Sequence, residues 1–402
     1  MTTERQQAAR LWFGPAGLLD GSVSWELRGT LAYIDVPAGD LARDHTSRFP
    51  WALVDAATPH LLTGDGSDEE GPAWSAGDAV FDGFSVTEPL ASPLSQGGGP
   101  AVPLFLTLSG PGADGNRGAG GLRTFSRVEF SAADGLFLLT GEEDEPPGGG
   151  PAELAHAAEA LRRHRALFLP LNNSVWAYEK HFPNTEIEYK LTMRPPVDIW
   201  RLSMGLHRLI HEGRFGRFRL EFGNGYEICE FRNHLYEVPG PPEERGYVSF
   251  LPIRGRTHLV RRKWFAQDAL VRREEIFKDV DVPGSFEDYI ADTFGVAAVP
   301  LPPFTRVRYD INIESMRTGH VYCVLFDRCE ADGHPDGLLQ QCEVEYLRTR
   351  SALGVDSSAV EAELRMLKEA VARFLAESGT DFEENHLSKL SWLRELTALA
   401  PR

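Results

Sequence analysis

The sequence predicts an α+β protein: a mainly-β first half and, in the second half, an antiparallel sheet of about eight strands that curls or closes against flanking helices. Three observations carry this prediction. The chain has 402 residues, 42% apolar and 10% aromatic, which suits two globular domains with sizeable cores. A segment that can neither pack nor hold a helix, GEEDEPPGGGP at Gly141–Pro151, divides it. The strands of the second half repeat one pattern, charged residues alternating with apolar ones. The expected division is 1–150, a mainly-β accessory domain ending in the acidic linker, and 151–402, the domain that carries chemistry.

In the first half, Val23, Trp25, Leu27, Leu31 and Tyr33 alternate with Ser24, Glu26, Arg28 and Thr30, the period-two pattern of a half-buried strand. Val102, Leu104, Leu106 and Leu108 mark another. Thr124–Phe130 and Leu136–Thr140 flank Ala133-Asp134-Gly135 as a hairpin. The glycine-rich stretches Gly97–Pro100 and Gly110–Gly121 lack the GK[ST] ending of a phosphate loop, so no residue set here specifies chemistry. A helix is expected at Ala152–Leu167. Strands follow near 185–195, 217–222, 226–237, 256–265, 268–278, 304–315, 319–328 and 340–350, with helices at Pro196–His211, Ser285–Thr293 and Ser357–Glu377. The last helix sets Val360, Leu364, Leu367, Val371 and Leu375 at helical spacing.

Charge bounds the partners. Lys and Arg total 41 against 59 Asp and Glu, a net charge of -18, which opposes broad contact with nucleic acid or an anionic membrane and makes any phosphate binding local. The halves differ: residues 1–170 hold 11 Arg, no Lys and 23 acids, and residues 171–402 hold 30 basic and 36 acidic residues. No apolar run approaches the roughly 20 residues of a spanning helix, so a cytoplasmic protein is expected. The four cysteines, Cys229, Cys323, Cys329 and Cys342, form no CxxC pair and read as reduced and packed.

The most informative segment is TEIEYKLTM at Thr185–Met193. Glu186, Glu188 and Lys190 share one face of a strand, and Ile187, Tyr189 and Leu191 share the other. One such strand alone reads as a solvated outer face. Here the pattern recurs: Arg306, Arg308, Asp310, Asn312 and Glu314; Glu343 and Glu345; Arg217, Arg219 and Glu221; Arg261 and Lys263; Arg272 and Glu274. A sheet that closes with these faces inward has a lumen of carboxylates and cations. Carboxylates hold hard divalent cations, and Arg and Lys neutralise phosphate oxygens, so the pattern points to phosphoryl chemistry.

Glu186-Ile187-Glu188-Tyr189-Lys190 matches the ExExK signature that opens the CYTH, or triphosphate tunnel metalloenzyme, superfamily. With an RxR at Arg306 and Arg308, Asp327 on the next strand and a closing ExE at Glu343 and Glu345, the stretch from Asn184 to Leu390 resembles that superfamily in order. The resemblance implies an eight-stranded antiparallel β-barrel, or tunnel, with flanking helices, and a site holding Mg2+ or Mn2+. By matching position, Glu186, Glu188, Glu343, Glu345 and Asp327 are the implied metal ligands or water-positioning groups. Lys190, Arg306 and Arg308 are the implied phosphate holders, with Arg217, Arg219, Arg261, Lys263 and Arg272 added by alternation. Catalysis would rest on Glu186, Glu188, Lys190, Glu343 and Glu345.

The expected function is metal-dependent hydrolysis of a tri-, di- or polyphosphate group on a small anionic substrate. The alternatives are nucleotidyl cyclisation in a similar tunnel and non-catalytic binding of an anionic ligand or partner. Oligomeric state stays open. His207 and His211 could share a metal, but no HExxH accompanies them and a solvated helical pair is the plainer reading. Trp176, Trp200 and Trp264 read as packing residues rather than a base-stacking platform.

Overall fold

The computed structural model describes residues 8–15, 30–38, 41, 44–50, 59–63, 68–70, 101–111, 120–130, 134–143, 159, 162, 178–179, 182–221, 225–350 and 357–399. By its contacts the chain parts into two units: 1–179 with 316–319 and 349–356, and 180–315 with 320–348 and 357–402. Expected features at 23–28, 97–100, 112–119, 144–151 and Trp176 lie outside the described residues. Of the helix expected at Ala152–Leu167, only Glu159 and Arg162 are described; both are helical and ion-paired to each other.

The first unit is built on an antiparallel sheet of β1 (Ala8–Pro15), β2 (Thr30–Pro37), β3 (Thr46–Pro50), β4 (Pro59–Thr63), β5 (Asp68–Glu70), β6 (Ala101–Pro111), β7 (Gly120–Phe130) and β8 (Asp134–Glu143), in the order β3-β8-β7-β6-β1-β2-β4-β5. The expected hairpin is β7–β8. Strand β6 is covered on both faces, since Phe105 and Thr107 are buried along with Leu104, Leu106 and Leu108. Trp12 stacks on Phe105 with centroids 5.7 Å apart and donates Nε1–H to Thr107 Oγ1 at 2.9 Å, so its indole N–H is satisfied in this aromatic core. A two-residue strand, β9 (Tyr178–Glu179), follows.

The second unit holds a closed antiparallel barrel. Its strands are β10 (Thr185–Met193), β12 (Glu227–Val238), β13 (Gly246–Arg254), β14 (Thr257–Trp264), β15 (Val271–Asp281), β17 (Phe304–Ser315), β18 (His320–Ala331) and β19 (Leu338–Arg350); the short β11 (Phe218–Leu220), β16 (Val299–Pro300) and β20 (Phe382–Asn385) add to its edges. The ring runs β17-β18-β19-β10-β15-β14-β13-β12 and closes because β12 also pairs with β17, Glu227 to Asp310 through Asn233 to Phe304. Two details differ from the expected strands. The 217–222 stretch is no barrel strand: β11 pairs only with Ile313–Ser315, beyond the point where β12 leaves β17. Its place is taken by β13, whose first six residues, GYVSFL, are all buried, so both faces are covered and the charged alternation is lost.

Helices pack the outer face. In α1 (Ile199–His211) the N-cap Asp198 carboxylate accepts from Arg201 N–H at 2.9 Å, and Ile199, Leu202, Leu206 and Ile210 are buried at helical spacing. The helix α2 (Phe286–Phe294) starts at Ser285, whose Oγ accepts from Asp288 N–H, and stops at Gly295 with φ of 67°. In α3 (Ala359–Glu377), Val360, Leu364, Leu367, Val371 and Leu375 are all buried against Tyr322, Val324 and Phe326 of β18 and Val344 and Tyr346 of β19, in one shared core. A fourth helix, α4 (Lys389–Leu399), packs differently. Leu390, Trp392 and Leu393 cluster with Leu235, Tyr247, Phe304, Cys329, Ala331 and Leu339, which stand on the inward faces of their strands at one end of the barrel. That end is filled. No described helix is long and apolar enough to cross a membrane.

Candidate active site

The barrel's inward faces follow from register. Lys190 pairs with Glu343, Glu188 with Glu345, Glu186 with Arg272, Lys263 with Glu274, and Arg308 with Asp327. Direct partners on neighbouring strands share a face, so each charged alternation selects the lumen. One cavity is lined by Glu186, Glu188, Lys190, Arg261, Lys263, Arg272, Arg306, Arg308, Glu343 and Glu345, with Asn233, Leu235, Tyr247, Ser249, Leu251, Ser388 and Lys389. Its lining carries seven cations and four carboxylates, and Glu274, Asp310 and Asp327 pair with Lys263, Arg308, Arg306 and Lys389 of that lining, in a chain of net charge -18. Glu274, Asp310 and Asp327 are buried on the same inward faces. Side chains fill the lumen and leave a void of about 30 Å³.

Two ion-pair networks occupy it. In the first, Lys263 Nζ lies 2.5 Å from Glu186 Oε1 and 3.4 Å from Glu274 Oε1, while Arg272 contacts Glu186 and Glu188. In the second, Arg306 holds Asp327 in a two-point contact, Lys389 bridges Asp327 and Glu343, and Lys190 Nζ joins the networks at 3.0 Å from Glu188 and 3.1 Å from Glu343. Burial opposes ionisation of Glu186, but Lys263, Arg272 and Lys190 outweigh it and hold this carboxyl well below the usual range. The same contest, won by Lys190, Lys389 and Arg306, keeps Glu343 low; Arg306 and Lys389 do so for Asp327.

Glu345 is the contrast. None of the ion pairs among the described residues includes it, and burial followed by the charges of Glu186 and Glu274 pushes its carboxyl up to about 7. It completes a trio: Glu186, Glu188 and Glu345 each offer a carboxylate oxygen, all within 4.8 Å of one another. Glu186 Oε2 and Glu188 Oε1 are buried and make no hydrogen bond; their contacts are the ion pairs with Arg272 and, for Glu188 Oε1, with Lys190 as well. An all-oxygen donor set with unsatisfied buried lone pairs fits a hard divalent ion such as Mg2+ or Mn2+.

The remaining expected residues fall as follows. Asp327 faces the lumen although Cys323 and Leu325 on the same face are apolar, and it is committed to Arg306 and Lys389 rather than to the trio. Glu343 likewise belongs to the second network. Arg217 and Arg219, expected on a lumen strand, lie apart from the cavity because β11 is outside the ring. Arg217 sits 3.9 Å from Glu363 on α3, and Arg219 donates to the carbonyls of Gly216 and Phe218. Lys389, absent from the sequence reading, enters from α4; the legible trace is Ser388 ahead of apolar residues at helical spacing, with Ser388 Oγ accepting from Ser391 N–H at 3.0 Å. On α1 the His207 and His211 rings stack in parallel, 6.4 Å apart, outside any metal-binding group among the described residues. Cys323, Cys329 and Cys342 are buried and Cys229 half-buried, all free thiols.

No family model and no curated protein matches the chain. Among solved structures, a putative adenylate cyclase from Bacillus halodurans is similar at 14% identity over 48% of this chain and 91% of that one, with a TM-score of 0.25. The S. pombe RNA triphosphatase Pct1 in complex with the Spt5 CTD is similar at 10% identity, 49% and 82% coverage and a TM-score of 0.23. Pct1 alone gives 9%, 48%, 84% and 0.24.

Proposed function

We propose that this chain is a divalent-metal-dependent hydrolase of the triphosphate tunnel type, cleaving the terminal phosphoanhydride of a tri-, di- or polyphosphate group held in the barrel. One observation supports this most: seven cations and a compact trio of carboxylates share a single buried cavity. In this reading Glu186, Glu188 and Glu345 hold Mg2+ or Mn2+, and the ion when bound supplies positive charge to the scissile phosphoryl group. Lys190, Lys263, Arg272, Arg306 and Arg308 exchange carboxylate partners for phosphate oxygens, and Arg261, whose buried Nε makes no hydrogen bond, adds its charge directly. Each such exchange replaces one charge-assisted contact by another in the same low-dielectric space, so the loss of one partner is offset by the gain of the next. Lys389 reaches Asp327 and Glu343 from α4 and holds their charge in place. Glu345, whose carboxyl is pushed up by burial and by Glu186 and Glu274 when no ion is present, gives up its proton as the ion binds, so metal affinity rises with pH.

The test is release of phosphate from tripolyphosphate, thiamine triphosphate and nucleoside triphosphates with either metal. Glu186→Gln and Glu188→Gln keep the shape of the side chain and remove its charge; each is expected to lower turnover by roughly a hundredfold or more with the fold intact by circular dichroism. Unchanged turnover in both variants removes the metal assignment. Cyclic nucleotide plus pyrophosphate from ATP overturns hydrolysis in favour of cyclisation, and tight tripolyphosphate binding without turnover favours a non-catalytic role.

A further inference from the structure

The lumen's chemistry is uneven around its circumference. On β13, β14 and β15 the register sets Leu251 opposite Leu259 and Arg261 opposite Ile276. Leu251 and Arg261 line the cavity, so Leu259 and Ile276 share the inward face. Ile276 is 43% exposed. Aliphatic side chains left open on an inward barrel face carry a solvation cost that a ligand removes by covering them. They stand beside the phosphate-type cations: Arg261 is the cross-strand partner of Ile276, and Lys263 is the next inward residue on β14. Across the barrel Glu227, Cys229 and Asp310 bring their ligand atoms within 4.8 Å of one another, with Arg308 paired to Asp310. The far end is filled by Leu390, Trp392 and Leu393 of α4.

We infer that the substrate is an organic phosphoanhydride whose ester-bound group is apolar, an alkyl or prenyl diphosphate in kind, with that group resting on the Leu259–Ile276 wall. The inference rests on the phosphate reading above and adds the identity of the organic half. An ester group attached to phosphates in the lumen cannot leave through the end that α4 fills, and at the other end it meets aliphatic carbon on one side and carboxylates on the other. The aliphatic wall rewards a hydrocarbon.

The test is titration calorimetry on the full chain with Mg2+, comparing geranyl diphosphate with methyl diphosphate, and using tripolyphosphate as the control for the phosphate site. Geranyl diphosphate is expected to bind at least about tenfold more tightly than methyl diphosphate, which corresponds to covering roughly 60 Å² of apolar surface. In the double variant Leu259→Ser with Ile276→Ser the preference is expected to fall to within about twofold, with tripolyphosphate affinity unchanged, which also certifies the fold. Equal affinity of the two diphosphates in the wild-type protein, or a preference that survives the double substitution, overturns the apolar wall while tripolyphosphate binding preserves the phosphate site. Failure of all three ligands to bind removes the phosphate reading and this inference with it.

Discussion

Among the buried acids of the lumen, the decisive difference is between those with a cation and the one without. Glu186, Glu343 and Asp327 ionise readily because Lys or Arg stands within contact distance. Such acids stabilise the fold above their unfolded values near 4 and lose that contribution only as pH falls through their lower folded values. Glu345 has the opposite sign. Its carboxyl titrates at about 7 in the fold and near 4.3 when unfolded, so the fold is favoured below about 4.3 and loses that advantage as pH rises through 7. Glu345→Gln removes the liability. Without divalent metal, the variant is expected to gain on wild type by roughly 1–2 kcal/mol between pH 5 and 8, after allowance for solvent screening. Thermal unfolding across that range measures it, and a pH-independent difference would count against the shifted carboxyl.

At the scale of the element, β13 is the strand on which closure depends and the one the sequence hides. It begins at Gly246, where φ is 142° and an added Cβ would lie 2.0 Å from the Lys263 carbonyl oxygen on β14. Only glycine permits that approach. Gly246→Ala is expected to destabilise the protein by roughly 3 kcal/mol or more, read as a lowered denaturation midpoint; a loss under about 1 kcal/mol would show that β14 yields easily. The alternating strands are legible because one face is polar: TEIEYKLTM and RVRYDINIE announce both their period and their inward charges. In GYVSFL the lumen contributes Tyr247, Ser249 and Leu251 and the helix side Val248 and Phe250, so the period-two signal vanishes. Arg217 and Arg219 carry the opposite lesson, since alternation names a face without saying whether the strand belongs to the ring. Lys389 is illegible for a third reason: what makes it part of the lumen is the packing of α4, which no local pattern encodes.

For the whole molecule, the charge distribution separates capture from retention. The chain as a whole carries net charge -18, while seven cations, most of them able to exchange their carboxylate partners for a ligand's oxygens, are gathered inside the barrel. An anionic ligand is therefore opposed at long range and welcomed at short range. Screening acts on the first more than on the second, because the Debye length falls from about 30 Å at 0.01 M salt to about 8 Å at 0.15 M while the lumen is shielded from solvent ions. The association rate of tripolyphosphate is expected to rise over that interval, the reverse of the usual behaviour of phosphate-binding proteins with basic surfaces. Stopped-flow measurement at the two salt concentrations decides it; a rate that falls would place a cationic field outside the barrel.

The helix that fills one end of the barrel has a kinetic meaning. With Leu390, Trp392 and Leu393 seated among the inward residues of the strands, that end of the barrel is closed among the described residues, and traffic in and out is left to the other. Under the proposed hydrolysis, a substrate that enters phosphate first would leave its orthophosphate deepest and its other product nearest the exit. Departure is then ordered, with orthophosphate last. Orthophosphate is the product that meets the empty enzyme and competes with substrate, whereas the organic remnant inhibits in mixed fashion.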